Sequence, residues 1–211
     1  MVQVKKEAVR ESILESGRKL FKAQGYARAT MNAIAREAGV APATLYVYYR
    51  SKLEVFFAIY DPWLRLKLET LQEESRRIKQ PQKRLEFLLM GLWRDVPFAD
   101  NSFTNNLMQA VSTKGADEHY DTTLLEWSKT QIAAIVADCL PPKRRQALNL
   151  ERITHLLFMA FDGFSLNAHF APDRPCDVAM VRMVAELLIG PTTRKAQNAG
   201  GRSRTPASAR R

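Results

Sequence analysis

The chain has 211 residues, 46% of them hydrophobic and 26% charged, a globular composition that excludes disorder throughout. No run of eighteen apolar residues offers a transmembrane helix, no apolar stretch follows the N-terminus as in a secretory signal, and two cysteines are too few for a disulfide scaffold. The net charge of +10 is uneven: residues 1–60 carry ten Lys/Arg against five Glu, the middle is near neutral, and 191–211 carry six Lys/Arg and no acid. Basic ends favour either a polyanion partner or mere solubility.

The pattern is helical nearly throughout, with no period-two strand signal. A first helix is expected from about Val4 to Gln24, with Val9, Ile13, Leu20 and Phe21 on one face and Gly25 closing it. A second starts after Thr30 as N-cap, carries Met31, Ile34, Ala35 and Ala38, and stops at Gly39. A third, short helix begins with Pro42 at its first position and turns Leu45 and Tyr49 inward. Ser51 to Glu54 reads as a capping box that opens a long fourth helix, with Phe56, Tyr60, Leu64 and Leu68 at helical spacing. Pro62 should kink or split that helix. Further helices are expected near 82–96, 102–113, 118–139, 144–170 and 176–189, with breaks at Pro81, Pro97, Gly115, Pro141-Pro142 and Pro172. Residues 191–211 lack core-forming side chains and read as a disordered tail.

The informative stretch is 27–52, ARATMNAIAREAGVAPATLYVYYRSK. Two short helices flank a glycine-centred turn, which is the sequence form of a helix-turn-helix. Ile34, Ala35, Val40 and Leu45 would hold the pair at a steep angle and free the second helix for a DNA major groove. Residues 9–57 resemble the N-terminal domain of the TetR family of transcriptional regulators. The matching pieces are Leu20-Phe21, Gly25-Tyr26, Thr30-Met31, Ile34-Ala35, Ala38-Gly39-Val40, Thr44-Leu45-Tyr46, Tyr48-Tyr49 and Ser51-Lys52. The resemblance implies an all-α protein with a three-helix DNA-binding domain at 1–51, a helical ligand-binding and dimerisation domain at 52–190, and the basic tail at 191–211. It implies phosphate contacts from Thr30, Tyr46, Tyr48 and Lys52, and base-edge contacts from Pro42, Ala43 and Thr44. Ala41 stands where the family often has a Ser or Thr cap. Pro42 and Ala43 offer bases no hydrogen bonds, so readout would rest on Thr44, thymine methyls, shape and water.

Two further regions follow. Helix 144–170 is apolar wider than one stripe, so it must be buried on two sides. Leu157, Phe161, Phe164 and Ala168, with Val181, Val184 and Leu188 of the last helix, resemble the family's dimer seam; a purely intramolecular core is the alternative. Leu64, Trp93, Phe98, Phe103, Met108 and Trp127 are candidates for lining a ligand pocket between the middle helices, or for simple core. Their character favours a largely apolar effector. No catalytic cluster, nucleotide motif or metal-ligand spacing is visible, Cys139 and Cys176 read as inert thiols, and no cofactor is expected. The reading is a dimeric, cytoplasmic regulator, a repressor released from a double-stranded operator by a small molecule, with no membrane partner. The alternative is a small-molecule-binding or assembly protein with a vestigial helix-turn-helix.

Overall fold

The structure, a computed structural model, describes residues 2–99, 101–113, 122–170 and 176–190. The expected tail at 191–211 and the first residues of the helix expected at 118–139 lie outside them, as do the side chains of Ala168 and His169. Among the described residues every regular element is helical.

Helix α1 (Val2–Arg28) is interrupted at Gly25, whose φ of 79° is open to glycine and costly for other residues. The regular helix therefore ends where the sequence predicts, and one further turn follows. Helix α2 (Met31–Glu37) is capped by Thr30, whose Oγ1 accepts from the Ala33 N–H at 3.1 Å. It closes with Gly39 at φ 68°, the Gly39 N–H on the Arg36 carbonyl and the Val40 N–H on the Ala35 carbonyl. This is the Schellman pattern, and it sets the angle at which the next helix leaves. Helix α3 (Pro42–Tyr48) starts without a side-chain cap, as expected from Ala41. Ile34, Ala35 and Leu45 are fully buried between α1, α2 and α3.

Helix α4 (Lys52–Arg76) opens on Ser51, whose Oγ accepts from the Glu54 N–H at 3.1 Å, while Glu54 reaches back to the Arg50 N–H at 2.6 Å. It runs through Pro62 without splitting, contrary to one expectation. Proline forfeits one bond to residue 58, and the apolar row Phe56, Ile59, Tyr60, Leu64, Leu68 and Leu71 is buried on both sides of it. Helix α5 (Pro81–Met90) passes through a π-helical turn (Gly91–Asp95) into α6 (Val96–Ala99). The break expected at Pro97 is absent, because the ladder has already shifted to i→i−5 where the proline N–H is missing.

Helix α7 (Asn101–Ser112) lies against α1, and α8 (Thr123–Cys139) packs on α4, α5 and α10. The helix expected over 144–170 is two: α9 (Pro142–Ala147) and α10 (Leu150–Phe170), separated at Leu148. Helix α11 (Val178–Ile189) docks on α5, and Arg144 of α9 donates to its terminal carbonyls at Leu187 (2.6 Å) and Leu188 (3.0 Å). A cation on those carbonyls matches the negative end of the helix.

Candidate nucleic-acid interface

Helix α3 turns one side inward and the other to solvent. Leu45 is fully buried and Tyr49 nearly so, its hydroxyl accepting from Arg10 Nε at 3.3 Å. Pro42, Ala43 and Thr44 are exposed, Tyr46 is half exposed, and Tyr48 is half-buried. Val47 stands 82% exposed on the same side, one turn beyond Ala43 and Thr44. The outer surface of α3 is thus a patch of methyl groups and one hydroxyl edged by a tyrosine. Such a surface meets thymine methyls and base edges in a major groove better than it meets solvent. Ser12 of α1 donates to the Ala38 carbonyl at 3.1 Å and holds the turn in place. Thr30 is exposed at the start of α2, where unpaired backbone N–H groups favour an anion.

Lys52, expected at a phosphate, turns its ammonium to the protein's own backbone. Its Nζ donates to the Tyr26 and Ala29 carbonyls at 2.7 and 2.8 Å and lies 4.2 Å from the centre of the Tyr26 ring. Burial holds its pKa below the usual lysine value. The cause is the interruption at Gly25: the chain's last turn before α2 presents carbonyls to the first turn of α4, and an ammonium satisfies them. The lysine joins the α1 end to α4.

The same segment is gripped from the other side by α7. Asn106, fully buried, accepts from the Tyr26 N–H at 2.6 Å and donates to the Phe21 carbonyl at 3.3 Å. Gln109 accepts from the Ala27 N–H at 2.8 Å. Residues 26–29, which lead directly into α2, are therefore held by α7 and α4 together.

The opposite side of α7 walls a cavity of about 450 Å³. Phe103, Leu107, Met108 and Val111 come from α7; Phe57 and Leu64 from α4; Leu124, Leu125 and Ser128 from α8; and Phe158, Phe161 and Asp162 from α10. Met108, Val111 and Asp162 are exposed and mark its mouth. The apolar surroundings push the Asp162 carboxyl up to about 6. Among the described residues no group of His, Cys, Asp and Glu could hold a metal ion, and burial pushes the Cys139 thiol up to about 11 and Cys176 upward too, so neither is a ready nucleophile at neutral pH.

Residues 13–59 match the family model for bacterial regulatory proteins of the tetR family. Over these residues the chain is similar to that family. No curated protein matches it. Among solved structures, FadR from Bacillus subtilis in complex with stearoyl-CoA is similar at 16% identity and a TM-score of 0.61, covering 85% of this chain and 97% of that one. FadR from Thermus thermophilus, a TetR-family transcriptional repressor in complex with lauroyl-CoA, is similar at 22% identity and 0.56, covering 91% and 100%. A TetR transcription regulator from Haloarcula marismortui gives 19% and 0.60, covering 87% and 97%. At these identities the likeness is one of fold. No helix among the described residues is long and apolar enough to cross a membrane.

Within this fold the sequence expectations divide. Leu64, Phe103 and Met108 do line one cavity; Trp93, Phe98 and Trp127 are not in its wall. Trp93 is buried on α10, donating to the Leu157 carbonyl at 3.2 Å and packing on Phe164. Trp127 lies under the Arg65 guanidinium, and Phe98 is partly exposed. The residues of the expected dimer seam divide as well. Leu157, Phe161 and Val181 are buried within the subunit, and Phe164, Val184 and Leu188 are partly so. The π-helical turn, α7 and α8 claim that side of α10, and α5 claims that side of α11. The side left outside carries Leu156, Met159, Leu166 and Phe170 on α10, and Met180, Met183 and Leu187 on α11. Sequence reasoning also passed over Val47, Asn106, Gln109, Ser128 and Asp162. The two amides stand three apart on α7, whose other polar residues, among them Asn105 and Thr104, leave no local signal that sets them apart.

Proposed function

We propose that this protein is a TetR-family regulator, a homodimeric repressor of a duplex operator, released by a largely apolar small molecule in the cavity between α4, α7, α8 and α10. One observation carries the reading: α7 lines the cavity with Phe103, Leu107 and Met108, and its other side binds the segment that leads into the recognition helices through Asn106 and Gln109. A ligand that displaces α7 acts on Tyr26 and Ala27, and Lys52 couples the same segment to α4. Two half-sites about one helical turn apart, ~34–36 Å, tolerate little change in the spacing of two α3 helices. The acyl-CoA complexes of the two FadR relatives support an effector with a long apolar part.

In this reading residues 1–51 bind DNA. Thr30 and the hydroxyls of Tyr46 and Tyr48 meet phosphates, while Ala43, Thr44 and Val47 meet base edges. Residues 52–190 hold effector and partner, with the exposed stripes of α10 and α11 forming the two-fold interface. Exposed apolar side chains concentrated on two adjacent helices are what such an interface buries. Selection from a random duplex library, followed by anisotropy titration at two salt concentrations, tests the DNA function. A palindromic consensus with salt-dependent affinity is expected. Absence of any enriched sequence would favour a ligand-binding protein whose helix-turn-helix no longer reads DNA.

A further inference from the structure

We propose that the cavity of α4, α7, α8 and α10 takes an apolar organic cation, an amine or quaternary ammonium on a hydrocarbon or aryl body, with Asp162 as its counter-ion. The assignment rests on reading this cavity as the effector site. Among the described residues its wall contains one charged side chain, Asp162, and no lysine, arginine or histidine. No ion pair within the described residues engages that carboxylate, and the direction of its pKa has burial as its cause rather than a neighbouring charge. At pH 7.5 the group is still ionised, and a carboxylate beside apolar side chains gains most from a cation. Ser128 gives the second, independent sign. The residue is 1% exposed and lines the cavity, and its buried hydroxyl has no hydrogen-bond partner among the described residues. A buried hydroxyl left this way is costly unless a ligand answers it. Phe57, Phe103, Phe158 and Phe161 surround the space, and aromatic faces attract cations.

An anionic head would meet Asp162 with no base among the described lining residues to offset it. The cavity therefore favours the opposite charge from the acyl-CoA of the FadR relatives while keeping room for an apolar chain. The volume of about 450 Å³ is that of an ordinary small-molecule site.

The test is a matched series on the full chain: decyltrimethylammonium, 1-decanol and decanoate, which share one chain and differ in head charge. Each is titrated by calorimetry below its micelle concentration. The cation is expected to bind at least tenfold more tightly than the alcohol, and decanoate more weakly than the alcohol. Asp162→Asn should remove the advantage of the cation and leave the alcohol unchanged. Equal affinities for all three, decanoate binding first, or a cation advantage that survives D162N would overturn the proposal. The ranking on the unmodified protein needs no variant, so a poorly folding D162N does not shield the idea. Operator release is measured separately by anisotropy. Asp162-dependent binding without release would leave the ligand class standing and sink the coupling to DNA. Release by decanoate alone would do the reverse.

Discussion

Replacing Asn106 by Ala removes two of the three bonds by which α7 holds the end of α1, leaving that of Gln109 to Ala27. The Tyr26 N–H loses a 2.6 Å acceptor in a fully buried place, and the Phe21 carbonyl loses a longer donor at 3.3 Å. Each buried group left unsatisfied costs about 1–3 kcal/mol, and the long bond contributes the smaller share, so the loss should total about 2–3 kcal/mol. For a chain of this size that is a fall in melting temperature of about 4–12 °C. The functional effect is distinct from the stability effect. Below the melting transition, the segment 26–29 keeps Lys52 and the exposed Gln109 bond but loses its buried tie to α7, so cavity occupancy no longer reaches α2 and α3 as strongly. Coupling between sites is ordinarily about 1–3 kcal/mol, a factor of about 5–150 in affinity. Operator affinity measured with and without a saturating effector should differ by that factor in the parent protein and much less in N106A. Amide exchange at Tyr26 should accelerate in parallel. Gln109→Ala, whose bond to Ala27 is exposed, should cost less than about 1.5 kcal/mol. A folded N106A with the parent's coupling factor and the parent's Tyr26 protection would refute the transmission through α7.

Lys52→Ala should lower the melting temperature, because the Tyr26 and Ala29 carbonyls lose a charged donor, and should leave the slope of log affinity against log salt unchanged; a slope lower by about one per subunit would return the lysine to the phosphates. Val47→Glu should keep stability within about 0.5 kcal/mol, since the side chain is 82% exposed, yet cut operator affinity at least tenfold; unaltered affinity would remove Val47 from the DNA surface. Leu156→Arg should yield a folded monomer in sedimentation, because the site is 69% exposed in the subunit and would be introduced twice at a two-fold interface. Phe161→Arg should instead unfold the chain, being 7% exposed, and a folded, monomeric F161R would restore the original seam. Asp162 has a folded-state pKa of about 6 against an ordinary 3.8, so the folded state holds the proton more tightly, and stability falls as pH rises from about 4 to 6 and stays lowered above. D162N should therefore raise the melting temperature at pH 7.5 and give no gain at pH 3.5; an equal gain at both pH values would refute the apolar setting of the carboxyl.

The first fifty residues were legible because their signals are local. Thr30, Gly39, Pro42 and Ser51 are caps and turns, and each acts on backbone groups two to five residues away. Periodicity then placed Ile34 and Leu45 inside, and the exposed row Pro42, Ala43, Thr44 is what remained. The rest of the chain depends on partners distant in sequence. Asn106 matters because Tyr26 lies eighty residues away, and nothing near position 106 reports that. The π-helical turn at Gly91–Asp95 likewise has no local sequence marker as firm as a cap, and it decides where Trp93 goes.

Helix α10 shows the limit most clearly. A helix with apolar residues on every side tells that two surfaces are covered, but periodicity cannot say which one meets the subunit's own core. Leu157 and Leu156 are neighbours with the same side chain, yet one is 3% and the other 69% exposed. The choice is made by Trp93, whose indole N–H is spent on the Leu157 carbonyl and whose ring needs Phe164 beside it. A Trp with a polar tip is satisfied only where a carbonyl can be reached, so it fixes the rotation of the helix it leans on. The opposite side of α10 then faces outward by default, and Met159 and Leu166 acquire a meaning that their positions in the sequence do not give them. Lys52 obeys the same logic at the other end of the molecule. A lysine at the first turn of a helix is unfavourable for that helix, and the sequence registers the conflict without naming its cause. The cause is the row of carbonyls that Gly25 leaves at the end of α1, a partner visible only once the two helices are packed.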